Sequence, residues 1–260
     1  MTHRIRAPGR VAALVLFALC SASCSAYRSI DVYTVPLSQL QEPTTEVREN
    51  VFEAISKVGL FMVSLGEDES QGFQETLDGF AACLSADGTD GVIEGDMDGA
   101  VRRVVLDDGT EKYSVASATN HSVPQSYPEA LLARPQCSQF VSASRGFRDT
   151  VDRTGRAFSS VLDELTDSPS AHDQGDFDSF SNTVSEAESL EHFHLFTRPR
   201  INWDNSQPTL HMHSDVGMFI IMTPAKYFHL SQLKAHESGF NSPGVHGGGF
   251  YLELPDGEIV

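Results

Sequence analysis

The residues best suited to chemistry lie in His211-Met212-His213-Ser214-Asp215-Val216-Gly217. If this stretch is a β-strand, side chains alternate between faces, so His213 and Asp215 project together with His211 beside them. A neutral imidazole nitrogen and a hard carboxylate oxygen suit Fe(II). Joined by a second histidine from another strand, they leave coordination positions open for oxygen and a cosubstrate. His213 and Asp215 are therefore the candidate metal ligands. The plainer alternative is a polar strand end, with Asp215 solvated and His213 satisfied by a backbone carbonyl.

Such ligands need rigid elements to aim them. The run Met218-Phe219-Ile220-Ile221-Met222 reads as a strand too apolar to face water on either side. Upstream, Arg200-Ile201-Asn202-Trp203 reads as another strand-like piece with a polar end. This order of motifs, with His-x-Asp-x-Gly ahead of a hydrophobic strand, resembles the isopenicillin N synthase-like family of non-haem Fe(II) and 2-oxoglutarate-dependent dioxygenases. The resemblance covers most of the chain beyond residue 26 and is specific only from His213 to Met222.

The resemblance implies a mainly β fold with flanking helices, a double-stranded β-helix (jelly roll) incomplete at its C-terminal end. It also implies Fe(II) on His213 and Asp215, 2-oxoglutarate as cosubstrate with Asn202 in contact with it, and a small organic molecule as substrate. No side chain is assigned a catalytic role of its own. Where the family has Asn-Tyr-Tyr-Pro, this chain has Asn202-Trp203-Asp204-Asn205, so the tyrosine has no equivalent. The family takes its third ligand, a histidine, from roughly fifty to sixty residues beyond the His-x-Asp, with an arginine about ten further on. Val260 lies 260 − 213 = 47 residues after His213, so both are expected to be missing and the chain reads as truncated.

His229, His236 and His246 fall in a polar, Gly-rich insertion from Ala225 to Gly249, where nothing in the spacing favours a ligand. His211 with His213 would suit a cupin-like metal site, but no glutamate follows at the spacing a cupin uses. A reading from a different class is a catalytically inactive jelly-roll module that binds a ligand or partner in its cavity.

The first 26 residues have a secretory layout. Arg4, Arg6 and Arg10 precede nine consecutive apolar residues, Val11 to Leu19, and the small residues Cys24-Ser25-Ala26. That run is too short to span a bilayer as a helix. The expected location is the secretory pathway or outside the cell, with an organelle transit peptide as the alternative. Without these three arginines the chain has 18 − 3 = 15 basic and 36 acidic residues, a formal charge of −21. Nucleic acid and anionic membrane are thereby disfavoured as partners, and the expected state is a monomer. Cys83 and Cys137 either pair or remain buried thiols.

Four regions follow: a signal peptide at 1–26, an N-terminal α/β region with a long buttressing helix at 27–165, an acidic loop at 166–190, and a jelly-roll core segment carrying the His-x-Asp at 191–260. Ile30 to Val35 alternates as a strand. Pro43-Thr44-Thr45 opens a helix with Val47, Val51, Ile55 and Val58 on one stripe. Gly59 ends it, and Leu60 to Leu65 forms a strand. The Gly- and Asp-rich stretch from Asp87 to Asp108 reads as solvated turns, since it lacks the ordered ligands of a calcium loop. Leu106 to Thr110 turns a hairpin between Val101 to Leu106 and Lys112 to Ala116. After Pro135, Phe140, Phe147, Val151, Phe158, Leu162 and Leu165 predict a long helix packed along a sheet. Thr166 to Ser189 predicts a surface loop with a short helix at its end, and Phe193-His194-Leu195-Phe196 begins another strand.

Overall fold

A computed structural model describes residues 29–85, 99–120, 123–124, 127–166, 179–197, 210, 213, 215, 217–226, 252–254 and 256–259. Its N-terminal unit is strand β1 (Thr34–Pro36), helix α1 (Leu37–Gln41), helix α2 (Thr45–Lys57) and strand β2 (Met62–Ser64). Thr44 caps α2 by accepting a hydrogen bond from the Val47 N–H at 3.3 Å, and Glu46 sits in the first turn, where the helix dipole favours an anion. Val47, Val51 and Ala54 are buried along one face. Gly59 closes the helix with φ +82°, its N–H donating to the Ala54 and Ile55 carbonyls. The chain then returns in parallel beside β1, pairing Val35 with Val63.

Helix α3 (Glu67–Cys83) follows, with Glu67, Asp68 and Glu69 in its first turn. The Glu69 carboxylate accepts from the Gly66 N–H at 2.8 Å, which is one half of a capping box. Strands β3 (Arg102–Val105) and β4 (Glu111–Asn120) form an antiparallel hairpin. Its turn uses Gly109 at φ +79°, and the Asp108 carboxylate accepts from the Thr110 N–H at 2.9 Å. Strand β5 (Val123–Pro124) pairs with the end of β4. Helix α4 (Glu129–Leu132) and a 3-10 turn over Pro135–Cys137 lead into helix α5 (Ser138–Thr166).

Helix α6 (Phe180–Glu186) is capped by Ser179 and by the Asp163 carboxylate, which accepts from the Phe180 and Ser181 N–H groups. Strand β6 (Ser189–Thr197) then pairs antiparallel with β4 from Thr119↔Ser189 to Glu111↔Thr197. Each sheet is small, one of two strands and one of four.

Helix α5 is the spine. Its 29 residues extend about 43 Å at the α-helical rise, enough to reach two separate cores. Phe140 in its N-terminal half packs with Phe80, Phe193 and Tyr127, at ring distances of 5.2, 4.9 and 5.1 Å. Val161 near its other end joins Val35, Leu40, Val47 and Val51 in the second core. Helix α3 lies close against α5, because a Cβ on Gly79 would stand 2.8 Å from the Phe140 backbone nitrogen. Next to that contact, Cys83 and Cys137 form a disulfide, both fully buried.

Two sequence expectations need correction. The mainly β, jelly-roll fold incomplete at its C-terminal end is overturned: the described residues are about half helix and a fifth strand. Helices α2, α3 and α5 set the architecture, and the β residues form two small sheets against them. The His213 to Met222 segment is also not a strand. Its described residues have no strand assignment, and Met218, Ile220 and Met222 are exposed. The Leu106 to Thr110 hairpin, α5 and α6 agree with the sequence in place and type, while β1 covers Thr34–Pro36 rather than Ile30 to Val35 and helices α1, α3 and α4 were not expected. The signal segment, the Asp87 to Asp96 turns, Asn202 and the strand-like Arg200 to Trp203 lie outside the described residues.

Candidate functional site

His213 and Asp215 lie together, with Nε2 to Oδ1 at 3.6 Å. Two donors bound ~2.1 Å from one ion, at angles between octahedral and tetrahedral, stand ~3.0 to 3.4 Å apart. The pair therefore fits as two cis donors of a metal ion after a shift of a few tenths of an ångström. Their side chains are 59% and 61% exposed, so they sit at the surface, and among the described residues no sheet is rolled around them. Among the described residues, no three histidine, cysteine or carboxylate side chains converge as a metal site. The pair offers an imidazole and a carboxylate, a donor set that fits Fe(II).

The residues just after the pair hold it against the helices. Phe219 packs edge-on against Phe158 of α5 at 5.2 Å. Ile221 Cδ1 and the Phe219 ring lie 3.6 and 3.9 Å from the position a Cβ on Gly155 would occupy. Alternate residues thus meet α5 while Met218, Ile220 and Met222 face outward. Farther along, Lys226 forms an ion pair with Asp78 of α3, fastening the other end of the segment.

A second polar group lies inside the fold and was not anticipated. Arg148, 4% exposed, makes a two-pronged ion pair with Glu191 of β6, its Nε 2.7 Å from Oε2. Tyr127 donates to Ser144 Oγ at 3.2 Å, and its ring lies 4.7 Å beneath the Arg148 guanidinium carbon. Ser117 donates to Glu191 at 3.3 Å. Burial first, then the Glu191 carboxylate, push the Tyr127 hydroxyl up to about 12, so it remains a donor at neutral pH. This network ties α5 to the sheet, and its chemistry is structural.

The sheet's outer face carries His192 and His194, whose ring centres are 5.4 Å apart. His194 Nδ1 is 2.9 Å from Ser114 Oγ. Desolvation first, then Lys112 and His192, push this imidazole down to about 4. The signal for the pair was legible in the sequence: His-x-His inside an alternating Glu191 to Phe196 strand places both rings on one face.

No family model matches the sequence, and neither a curated protein nor a solved structure matches it. Among the described residues, no helix is long and apolar enough to cross a membrane.

Proposed function

We propose that His213 and Asp215 are the Fe(II)-gripping half of a 2-oxoglutarate-dependent oxygenase that acts on a small organic substrate. The single observation behind this is the 3.6 Å approach of His213 Nε2 to Asp215 Oδ1, a spacing and donor set suited to one divalent ion. Fe(II) would supply the redox chemistry that activates oxygen. The chain's own contribution is to orient the imidazole and carboxylate side by side, braced through Phe219 on Phe158 and Lys226 on Asp78. Activity requires a third protein ligand and a cation for the cosubstrate carboxylate.

The test is anaerobic titration of the full chain with Fe(II), followed by oxygen uptake with 2-oxoglutarate. Weak binding is expected, and His213→Ala or Asp215→Ala should each abolish it. Unchanged Fe(II) affinity in both variants sinks the proposal.

The high exposure of both side chains favours a second reading, a non-catalytic binding module. It predicts that Fe(II) binding, if present, brings no oxygen uptake dependent on 2-oxoglutarate. Maturation along the secretory route is part of the proposal. It is supported by the buried Cys83–Cys137 disulfide, since such bonds form and persist mainly in oxidising compartments.

A further inference from the structure

The outer face of the four-stranded sheet holds an arrangement that none of the above uses. In β6 the core side is marked by Phe193, 5% exposed, while His192 and His194 are exposed on the opposite side. Ladder pairing puts Ser114 directly across from His194 and Ala116 across from His192. Arg102 lies across Ser114 on β3, and Lys112 lies across Phe196. Among the described strand residues of this face there is no carboxylate.

We propose that His192 and His194 together bind a divalent transition-metal ion of the class that favours imidazole, such as Zn(II), on the outer face of this sheet. A metal ~2.1 Å from each ring nitrogen stands ~3.2 Å from each ring centre, so two rings sharing it at a near-tetrahedral angle have centres ~5.2 Å apart. The observed separation is 5.4 Å. The rings are also held there, because β6 is paired with β4 along its nine residues. Ser114 meets Nδ1 of His194, which leaves Nε2 as the nitrogen available to a metal. A partner on the far ring nitrogen is how ligating histidines are usually oriented.

The surroundings set the selectivity. Two nitrogen donors without a neighbouring carboxylate suit Zn(II), Ni(II) or Cu(II), and give no purchase to Mg(II) or Ca(II), which need oxygen ligands. With only two protein donors, water fills the remaining positions, so the ion is held weakly and exchanges readily. Lys112, whose ammonium rests 5.6 Å over the Phe196 ring, is a nearby positive charge that opposes the ion. Removing that charge tightens metal binding, whereas it would weaken an anion site on the same face.

The experiment is a Zn(II) titration of the full chain by calorimetry, with histidine ring resonances followed by NMR. His192→Ala and His194→Ala should each weaken one site at least ~10-fold, Ser114→Ala should weaken it ~10-fold, and Lys112→Met should strengthen it. The His192 and His194 resonances should shift together on Zn(II) addition, and excess Mg(II) should leave them in place. His192→Gln and His194→Gln, checked for native circular dichroism, repeat the test with polar replacements. The proposal is overturned if Zn(II) binds the histidine variants as it binds the parent chain, or if only one of the two positions matters. Binding lost on His213→Ala and retained on His192→Ala overturns it as well, and assigns the Zn(II) to the other pair.

Discussion

At the scale of single residues, the most consequential contact is Arg148 with Glu191. Both partners are nearly out of water, at 3% and 11% side-chain exposure, so removing one leaves a charge buried without its counter-ion. Such a loss costs about 3 to 5 kcal/mol, and Glu191→Ala should lower the urea midpoint accordingly. An Arg148→Met, Glu191→Leu double variant should recover much of that cost, because the desolvation penalty of both ions disappears with them. A smaller and pH-dependent effect belongs to Glu111 on the same sheet. Its hydrogen bonds from Arg103, then from Tyr113, hold the carboxyl below its ordinary range. A depressed acid contributes stability that is present above the unfolded pKa and is lost as pH falls through the lower folded value. Glu111→Gln should therefore lower stability across the neutral range and flatten the acid side of a stability-against-pH profile, the two proteins converging at low pH. The sequence made the adjacency of His213 and Asp215 legible, because a two-residue spacing brings side chains together in any extended backbone. Their exposure was not legible, since it depends on which neighbours cover them.

At the scale of elements, legibility followed the strength of the local signal. Helix α5 stood out because large apolar residues recur at helical spacing over its length, and α2 because a capping threonine, a stripe and a closing glycine coincide. Helix α3 was missed. Its buried side is Thr76, Gly79, Phe80, Ala81 and Cys83, a single large apolar residue among small or polar ones, which carries little periodic hydrophobicity yet permits close approach to α5. Gly79→Val should accordingly destabilise by about 1 to 3 kcal/mol through overpacking, measured by chemical denaturation. Gly155 offers the contrast, as its Cβ would meet side-chain atoms at ordinary contact distances. Gly155→Ala should stabilise α5 by up to about 1 kcal/mol. The Met218 to Met222 run misled for a physical reason: continuous apolarity marks burial on two sides in a sheet, but here one side meets α5 and the other faces outward. Apolarity alone does not specify a pairing partner.

At the scale of the whole molecule, the disulfide and the shared helix decide how the parts hold together. Cys83 and Cys137 are 54 residues apart in sequence, and closing a loop of that size contributes about 4 kcal/mol in the chain-entropy account. Reduction, or Cys83→Ser with Cys137→Ser, should lower the thermal midpoint by several degrees or more, as scanning calorimetry would detect. The sequence left the pairing open, because separation along the chain says nothing of the distance between α3's end and α5's beginning. The overall fold class was misread for a related reason. Local motifs at 200–222 were extended to the architecture of the whole chain, while the helical stripes that dominate burial lie before residue 167.

Because α5 threads both hydrophobic clusters, neither can dissolve while that rod keeps its other end fixed. The two should melt as a single cooperative event. Amide hydrogens in the middle of α5, shielded by both, should be the last to exchange with solvent deuterium.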